Sequence, residues 1–233
     1  MTSPLIALIS AVPTAMAPVE AAFAESFPQA RRWNLLDDRL MTDATAQGGL
    51  TPALHQRMER LIAHAVQEGA DAILLTCSLY GPVAHDVAAD TPSARPLLAP
   101  DDAVFAAARS GGFRRVLVVS SGAAPLQDSV ARLRDALDVG VDLVPVLSED
   151  AASAARANDA EGLVEALAAA VERALPSRPA SAEPTAVLLA QFSLAPAAAE
   201  LERRLGLPVL AGPQHAVALL HRHFTHPVPE ETS

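Results

Sequence analysis

The sequence has 233 residues, of which 51% are hydrophobic and 3% aromatic, and its formal net charge is −10 at pH 7. This length and hydrophobic content predict a folded chain that forms one large domain or two small ones. The acidic balance argues against nucleic acids and anionic membranes as partners, and the single cysteine excludes an intramolecular disulfide and a thiolate-rich zinc site.

All 17 basic residues are arginine, and the sequence contains no lysine. Enzymes that use pyridoxal phosphate or form a Schiff base need a lysine amine, so both classes are excluded. The phosphate-binding Gly-x-x-x-x-Gly-Lys loop is excluded for the same reason.

The N-terminal apolar stretch at 4–17 superficially resembles a secretory signal with a small-residue cleavage site. However, the first positive residue is Arg31, and Pro13 interrupts an apolar run that is already short. We therefore expect a first β-strand and a cytoplasmic protein. No stretch approaches the roughly 20 uncharged apolar residues that a membrane span needs.

Strands and helices alternate along the first half of the chain. The pattern predicts strands at 5–9 and 32–36, with a helix at 14–26 between them. Thr51 followed by Pro52 is typical of a helix start, and Gly69 ends that helix. The next apolar run, at 72–75, is a short buried strand that leads to Cys77 and then to a further helix.

The second half repeats this alternation. Strands are predicted at 115–119, 141–146, 186–190 and 208–210. Helices follow them, with apolar faces built on Leu126 and Leu163 and with two later helices at 196–205 and 214–223. The Pro-rich stretch at 176–184 is predicted to be a loop, and 226–233 a loose tail.

Repeated strand–helix units predict parallel sheets covered by helices on both faces, which is an α/β fold. The chain is also internally doubled. The strand that ends at Ser10 has a counterpart that ends at Ser120-Ser121, and the strand that ends at Cys77-Ser78 has one that ends at Gln191-Phe192-Ser193.

We therefore predict two pseudo-symmetric lobes, each a mostly parallel sheet flanked by helices. The first comprises residues 1–100 plus 211–233, and the second comprises residues 101–210. Two similar lobes that face each other place the four strand ends around one active-site cleft.

Cys77 lies where the buried run 72–75 ends and the chain turns through small polar residues. Ligands of parallel α/β sheets bind at this end of the strands, and a helix N-terminus favours anions. A thiol held there has its thiolate stabilised, so it can carry a proton or act as a nucleophile near neutral pH. The alternative is a small buried core residue, as many cysteines are.

Three segments carry a family resemblance: Ile-Leu-Leu-Thr-Cys-Ser around Cys77, Val-Leu-Val-Val-Ser-Ser-Gly at 116–122, and the run at 187–209. Their order and spacing resemble the aspartate/glutamate racemase superfamily, which also includes hydantoin racemases, maleate isomerases and arylmalonate decarboxylases. The resemblance implies a site between two lobes that needs no cofactor, a small carboxylate substrate, and suggests a homodimer. In the family's racemases, two cysteines flank the α-carbon of the substrate, and strand-end amides and hydroxyls hold the carboxylates.

The sequence departs from the family pattern at one place. Cys77 matches the first cysteine, but the position of the second falls at or next to Gln191. An amide cannot exchange a proton at any accessible pH, so a symmetrical two-thiol racemase is not expected from this one-cysteine member.

The remaining candidates are substrate contacts at the strand ends. For the serines and the threonine the alternative is helix capping, and for Tyr80 it is packing in a partly buried site. The candidate substrate-binding residues are Ser10, Thr14, Ser78, Tyr80, Ser120, Ser121, Gly122, Gln191, Phe192 and Ser193.

His215 is the best candidate for a second acid or base, because it begins a helix that follows a strand end at the predicted cleft. No His, Asp or Glu set shows the spacing of metal ligands, such as His-Glu-x-x-His, so no metal site is expected.

Two hypotheses from different classes follow. The first is a cofactor-independent isomerase-family enzyme that acts at a carbon next to a carboxylate, with Cys77 as the sole thiol. Malonate-type decarboxylation with one-sided protonation, or double-bond isomerisation through a covalent adduct, needs only one thiol. Racemisation needs His215, Tyr80 or a water at the second face. The second hypothesis is a carboxylate-binding protein that has kept the site and lost turnover.

Overall fold

Two four-stranded parallel sheets organise the chain. The structure is a computed structural model that describes residues 3–90, 95–175 and 184–226. The chain divides into two compact units, the first unit being Met1–Pro100 with Pro213–Ser233 and the second unit Asp101–Gly212. The predicted α/β fold with two similar, helix-flanked sheets is confirmed.

The sheet of the first unit has the strand order β2-β1-β3-β4, and every neighbouring pair is parallel. Its strands are β1 (Leu5–Ser10), β2 (Arg31–Leu36), β3 (Ala72–Leu75) and β4 (Leu97–Leu98). The central strands β1 and β3 pair in the register Ile9↔Leu75 and are buried along almost their whole length. Continuous apolar runs such as these are typical of parallel strands covered on both faces.

The sheet of the second unit repeats this order as β6-β5-β7-β8, again with parallel pairs only. Its strands are β5 (Arg115–Ser120), β6 (Asp142–Leu147), β7 (Thr185–Leu189) and β8 (Val209–Ala211). The central strands β5 and β7 pair in the register Val119↔Leu189. Each unit therefore places its first and third strands at the centre of the sheet.

Ten α-helices within the described residues connect and cover the strands. They are α1 (Met16–Ser26), α2 (Arg39–Gln47), α3 (Pro52–Gln67), α4 (Gly81–Asp90), α5 (Asp102–Ser110), α6 (Ala123–Ala136), α7 (Glu149–Ala157), α8 (Ala160–Ala174), α9 (Ala198–Leu205) and α10 (Gly212–Thr225). Short 3₁₀ segments occupy Pro13–Ala15, Ser78–Tyr80 and Phe192–Ala197.

Helices cover both faces of the second sheet, and alternate side chains of its strands pack against the helices on each face. Leu117 and Val119 of β5 pack into a cluster with residues of α8 and α9, whereas Val116 and Val118 pack into another cluster with residues of α5 and α6. Successive strand residues point to opposite faces, so one strand supplies both clusters.

Three helices and one strand were missed by the sequence pattern: α2, α5, α7 and β4. Helices α2 and α7 have nine residues each and bury few side chains, namely Leu40 and Ala44 in α2 and Ala151 in α7, so each has only a short buried face. Strand β4 has only two residues. The predicted loop at 176–184 and tail at 226–233 lie almost entirely outside the described residues.

Within those described ranges, none of the helices is both long enough and apolar enough to cross a membrane.

Candidate functional site

The central strands of both units end in the same way. In the first unit, the Thr76 N–H donates to the Ile9 carbonyl oxygen at 3.0 Å, which extends the β1–β3 ladder by one residue. In the second unit, the Ala190 N–H donates to the Val119 carbonyl oxygen at 2.9 Å. The residues that follow these two bonds are Cys77 and Gln191, and both have extended backbone and precede a 3₁₀ segment.

Cys77 lies at the edge of the hydrophobic core of the first unit. It belongs to a cluster with Ile9, Leu75 and Tyr80, and 8% of its surface is exposed, whereas its neighbours Leu75 and Tyr80 are at 0%. Cys77 is therefore a nearly buried residue that packs against apolar side chains at the end of β3. A largely water-excluded thiol fits proton transfer at carbon, because charges that develop there are weakly screened.

Ser10 and Thr76 link the ends of β1 and β3. The Thr76 hydroxyl lies 2.9 Å from the Ser10 hydroxyl oxygen, and both residues are buried. This bond joins the two strand ends beside Cys77. Ser10 as a direct substrate contact stays a prediction, and its full burial favours a role inside the fold.

Tyr80 packs in the core and anchors the turn that follows Cys77. Its hydroxyl donates to the Leu40 carbonyl oxygen at 2.9 Å, and its backbone N–H donates to the Cys77 carbonyl oxygen at 3.0 Å. Burial, with a further contribution from the charge of Cys77, raises the pKa of Tyr80 to about 12. These observations favour the packing alternative over a substrate contact.

An ion-pair network holds helix α2 in place. The Leu40 carbonyl oxygen of this helix accepts the hydrogen bond from the Tyr80 hydroxyl. Arg57 of α3 lies 2.6 Å and 2.7 Å from the two carboxylate oxygens of Asp37 and 2.9 Å from Asp43. Asp37 and Asp43 flank the N-terminal half of α2 on either side of Leu40. A bidentate arginine pair is among the more ordered charge contacts in proteins, so it holds this helix against α3.

Gln191 is held by the two serines at the end of β5. Its side-chain oxygen accepts from the Ser121 N–H at 2.8 Å, from the Ser121 hydroxyl at 2.8 Å and from the Ser120 hydroxyl at 3.1 Å. Ser120 is buried, whereas Ser121 and Gln191 are half-buried. The structure thus brings together three of the predicted strand-end residues in the second unit.

Residues 14–220 match the family model described as Asp/Glu/Hydantoin racemase. The chain belongs to this racemase family. The family is one of isomerases, so the predicted membership and enzyme class are confirmed. No curated protein sequence matches the chain.

Solved racemase structures share the fold of this racemase-family chain. The glutamate racemase from Thermus thermophilus in complex with beta-chloro-D-alanine superposes with a TM-score of 0.70 at 19% identity, over 98% of this chain and 84% of that one. The allantoin racemase from Klebsiella pneumoniae superposes with a TM-score of 0.68 at 17% identity, over 96% of this chain and 88% of that one. The aspartate racemase from Picrophilus torridus superposes with a TM-score of 0.67 at 16% identity, over 95% of this chain and 94% of that one. At sequence identities of 19% or less, these structural similarities establish the fold alone.

The other predicted residues of the site lie on the expected turns. Thr14 is half-buried in the 3₁₀ segment Pro13–Ala15, and Ser78 is half-buried in the segment after Cys77. Phe192 is buried and Ser193 half-buried in the corresponding segment of the second unit. The N-cap residue of α6 is Gly122, which has no side chain to cap the helix. Ser120 and Ser121 precede this position, so neither is the capping residue of α6.

His215 lies in α10 of the first unit and is half-buried. Burial, together with the nearby positive charge of Arg222, lowers the pKa of His215 below its usual 6.5. Its imidazole is therefore neutral at pH 7 and able to accept a proton. In the parts of the chain that the structure describes, no three His, Cys, Asp or Glu side chains converge as metal ligands.

Thr76 and Arg57 support the Cys77 strand end, and the sequence pattern did not single out either of them. Thr76 had an available signal, since a threonine directly before the strand-end cysteine can bond to the neighbouring strand. Arg57 had none, because its partners Asp37 and Asp43 lie in a segment whose helix was not predicted.

Proposed function

We propose that this racemase-family enzyme acts without a cofactor at a carbon next to a carboxylate, with Cys77 as its only catalytic thiol. The substrate class is a small amino acid or dicarboxylate. The observation that carries the proposal is the pair of equivalent strand ends, of which one ends in Cys77 and the other in Gln191.

The proposed chemistry is proton transfer at the α-carbon. The Cys77 thiolate removes the α-proton and becomes a thiol, and the electron pair of the broken C–H bond forms the enediolate of the substrate. The thiol exchanges its hydrogen with solvent and then returns a proton to the same carbon, becoming a thiolate again, so the step is observed as isotope exchange. Hydrogen-bond donors near the carboxylate lower the barrier by stabilising the enediolate charge.

A single thiol makes this proton transfer one-sided. Gln191 has no titratable proton, so it cannot protonate the opposite face of the enediolate. Tyr80 is unsuited to that role, because a pKa of about 12 makes the phenol a weak acid and its hydrogen is already donated to the Leu40 carbonyl oxygen. His215, neutral at pH 7, is the one predicted acid or base that stays a candidate for the second face.

Decarboxylation of a malonate-type acid is the second candidate, and the same asymmetry between Cys77 and Gln191 favours it. Loss of carbon dioxide leaves the same enediolate, and one thiol suffices to protonate it. Such a reaction needs no base to remove a proton from carbon. The product of a prochiral malonate is then a single enantiomer.

The test is hydrogen–deuterium exchange at the α-carbon, followed by NMR in heavy water. The panel contains aspartate, glutamate, their hydroxy-acid analogues and alkylmalonates. We expect exchange or decarboxylation for at least one member, and a loss of about 100-fold or more in Cys77→Ala, as is typical when a general base is removed. Unchanged exchange in Cys77→Ala contradicts the proposal.

A protein that only binds carboxylates is separated from the enzyme by the reactivity of Cys77. Rapid alkylation of the thiol that small dicarboxylates slow supports the enzyme. A thiol that iodoacetamide does not modify in the folded protein, with no turnover of any panel member, supports binding alone.

A further inference from the structure

We infer that Gln191 is a substrate-binding residue whose amide N–H groups donate to a carboxylate oxygen, and that Ser121 is the positioning residue that fixes its orientation. The inference rests on the proposed carboxylate substrate but concerns binding rather than proton transfer. It also changes the role expected for Ser120 and Ser121, which act on the substrate through Gln191 instead of contacting it.

The orientation of the Gln191 amide follows from the chemistry of its partners. A backbone N–H can only donate, so the Gln191 atom that lies 2.8 Å from the Ser121 nitrogen must be the acceptor, which is the amide oxygen. The oxygen and nitrogen of a glutamine are otherwise hard to tell apart, and a fixed donor resolves the choice. The amide nitrogen therefore points away from both serines.

The Gln191 oxygen is fully used by the fold. A carbonyl oxygen has two lone pairs, and the N–H and hydroxyl of Ser121 already occupy both of them, while the Ser120 hydroxyl shares its one hydrogen between this oxygen and the Gly122 carbonyl oxygen. It has no remaining capacity for a ligand. The amide nitrogen is the polar group of this half-buried side chain that can still bind one, and as a donor it selects an acceptor such as a carboxylate oxygen.

The backbone at Gln191 is also fixed on both sides. The preceding residue, Ala190, is bonded to Val119, and the Gln191 carbonyl oxygen accepts the Leu194 N–H at 3.1 Å. The side chain and the main chain are thus both ordered before a ligand arrives. A preorganised donor binds more tightly than a mobile one, because the entropy of fixing it is already lost.

The same contacts have an opposite interpretation, in which Gln191 blocks a carboxylate site formed by the serine donors. Ser120 is buried with the Gln191 oxygen in contact with its hydroxyl, so burial fits both interpretations and the affinity must decide between them. The two interpretations predict effects of opposite sign. Removing the amide weakens carboxylate binding if Gln191 donates to the carboxylate. It strengthens carboxylate binding if Gln191 occupies the place of the carboxylate on the serine donors.

The experiment is calorimetric titration of the full chain with malonate, maleate, aspartate and glutamate. Gln191→Glu keeps the acceptor oxygens for the serine donors but replaces the N–H groups with a negative charge, so its fold should be retained. We expect its dissociation constant for the tightest-binding probe to rise by at least about tenfold, since bonds to charged groups are the stronger ones. Gln127→Glu, the same change at an exposed site of α6, is the matched control and should leave binding unchanged.

Ser121 is tested by its effect on affinity at unchanged fold. Ser121→Ala removes the hydroxyl donor at 2.8 Å from the Gln191 oxygen and should raise the dissociation constant by about threefold, the lower end of the range for a neutral hydrogen bond. Ser121→Thr restores a hydroxyl and should restore the affinity. A purely structural serine alters the melting temperature in Ser121→Ala without altering the affinity, which overturns the positioning role.

The outcomes also separate this inference from the proposed function. Tighter binding, or no change, in Gln191→Glu and Gln191→Ala overturns the inference, even if Cys77→Ala abolishes exchange. Weaker binding in both variants supports the inference, even if exchange does not depend on Cys77. Failure of the wild-type protein to bind any of the four probes overturns both.

Discussion

Cys77 and Gln191 occupy equivalent positions in two copies of one backbone arrangement. Each follows a residue whose N–H bonds to the neighbouring central strand, Thr76 to Ile9 at 3.0 Å and Ala190 to Val119 at 2.9 Å. Each carbonyl oxygen then accepts the N–H three residues later, from Tyr80 or Leu194. The backbone is thus duplicated, but a thiol is present in only one copy.

Gln191→Cys is predicted to add inversion to the activity. The sequence resemblance implies that the second thiol of the family's racemases, which protonates the opposite face of the α-carbon, lies at or next to the position of Gln191. We expect the variant to form both enantiomers from one enantiomer of a substrate that the wild-type protein only exchanges. Chiral chromatography of the products measures the gain.

Gln191→Ser is the matched control for that variant, because it has a similar size and also loses the amide, but it has no thiol. It should exchange the α-hydrogen without inversion. Equal inversion by Gln191→Ser and Gln191→Cys would show that loss of the amide, and not the new thiol, is responsible.

The tyrosine absorbance reports Tyr80 alone, since the chain has one tyrosine. Burial raises the pKa of Tyr80 from its ordinary 10.0 to about 12. A raised pKa in the folded state gives stability that is fully present below pH 10 and is lost as the pH rises toward 12. Spectrophotometric titration should therefore detect the phenolate near pH 12 in the folded protein and near pH 10 in urea. Titration near pH 10 while the circular dichroism is still native contradicts the buried hydroxyl.

His215 is predicted to titrate below the ordinary histidine pKa of 6.5, because burial and Arg222 disfavour its charged form. With a depressed folded-state pKa, its contribution to stability is present above pH 6.5 and is lost as the pH falls through the folded value. The NMR resonance that disappears in His215→Gln should titrate below 6.5. The acid-induced loss of stability should also become shallower in that variant. A resonance that titrates above 6.5 would contradict the burial of this imidazole.

The ion pair between Arg132 and Asp101 is predicted to stabilise the second unit. Its nitrogen and oxygen are 2.6 Å apart, and Asp101 is buried. Arg132→Met leaves a buried carboxylate without its arginine, which should lower the free energy of unfolding by about 3 kcal/mol in urea titrations. Arg134→Met on the exposed side of the same helix is the control and should cost less than about 0.5 kcal/mol. A small loss in Arg132→Met, similar to the control, would mean that the carboxylate is solvated.

The duplicated sheets were predictable because their central strands are continuous apolar runs that end in small polar residues. Leu5–Ser10 and Arg115–Ser120 show this pattern directly. Helix α2 was not predictable in this way, since it buries only Leu40 and Ala44. Missing this helix matters for the site, because the Leu40 carbonyl oxygen accepts a hydrogen bond from the Tyr80 hydroxyl. This bond connects α2 to the turn after Cys77.

The position of Gln191 was predictable from the internal doubling, but its contacts were not. Ser120 and Ser121 lie about 70 residues earlier in the chain, and only the pairing of β5 with β7 brings them to the Gln191 oxygen. The sequence pattern therefore suggested that these serines bind substrate. The structure shows that these serines contact the Gln191 oxygen, a contact that the pattern did not predict.

The ratio of exchange to inversion in the wild-type protein tests the central claim most directly. A single enantiomer of the substrate is incubated in heavy water, and deuterium at the α-carbon and the enantiomeric composition are measured in the same sample. One thiol that acts from one face predicts deuterium incorporation with retention, at a rate that falls by about 100-fold or more in Cys77→Ala. Inversion as fast as exchange, abolished in His215→Gln, would show a second proton carrier and contradict the one-sided mechanism.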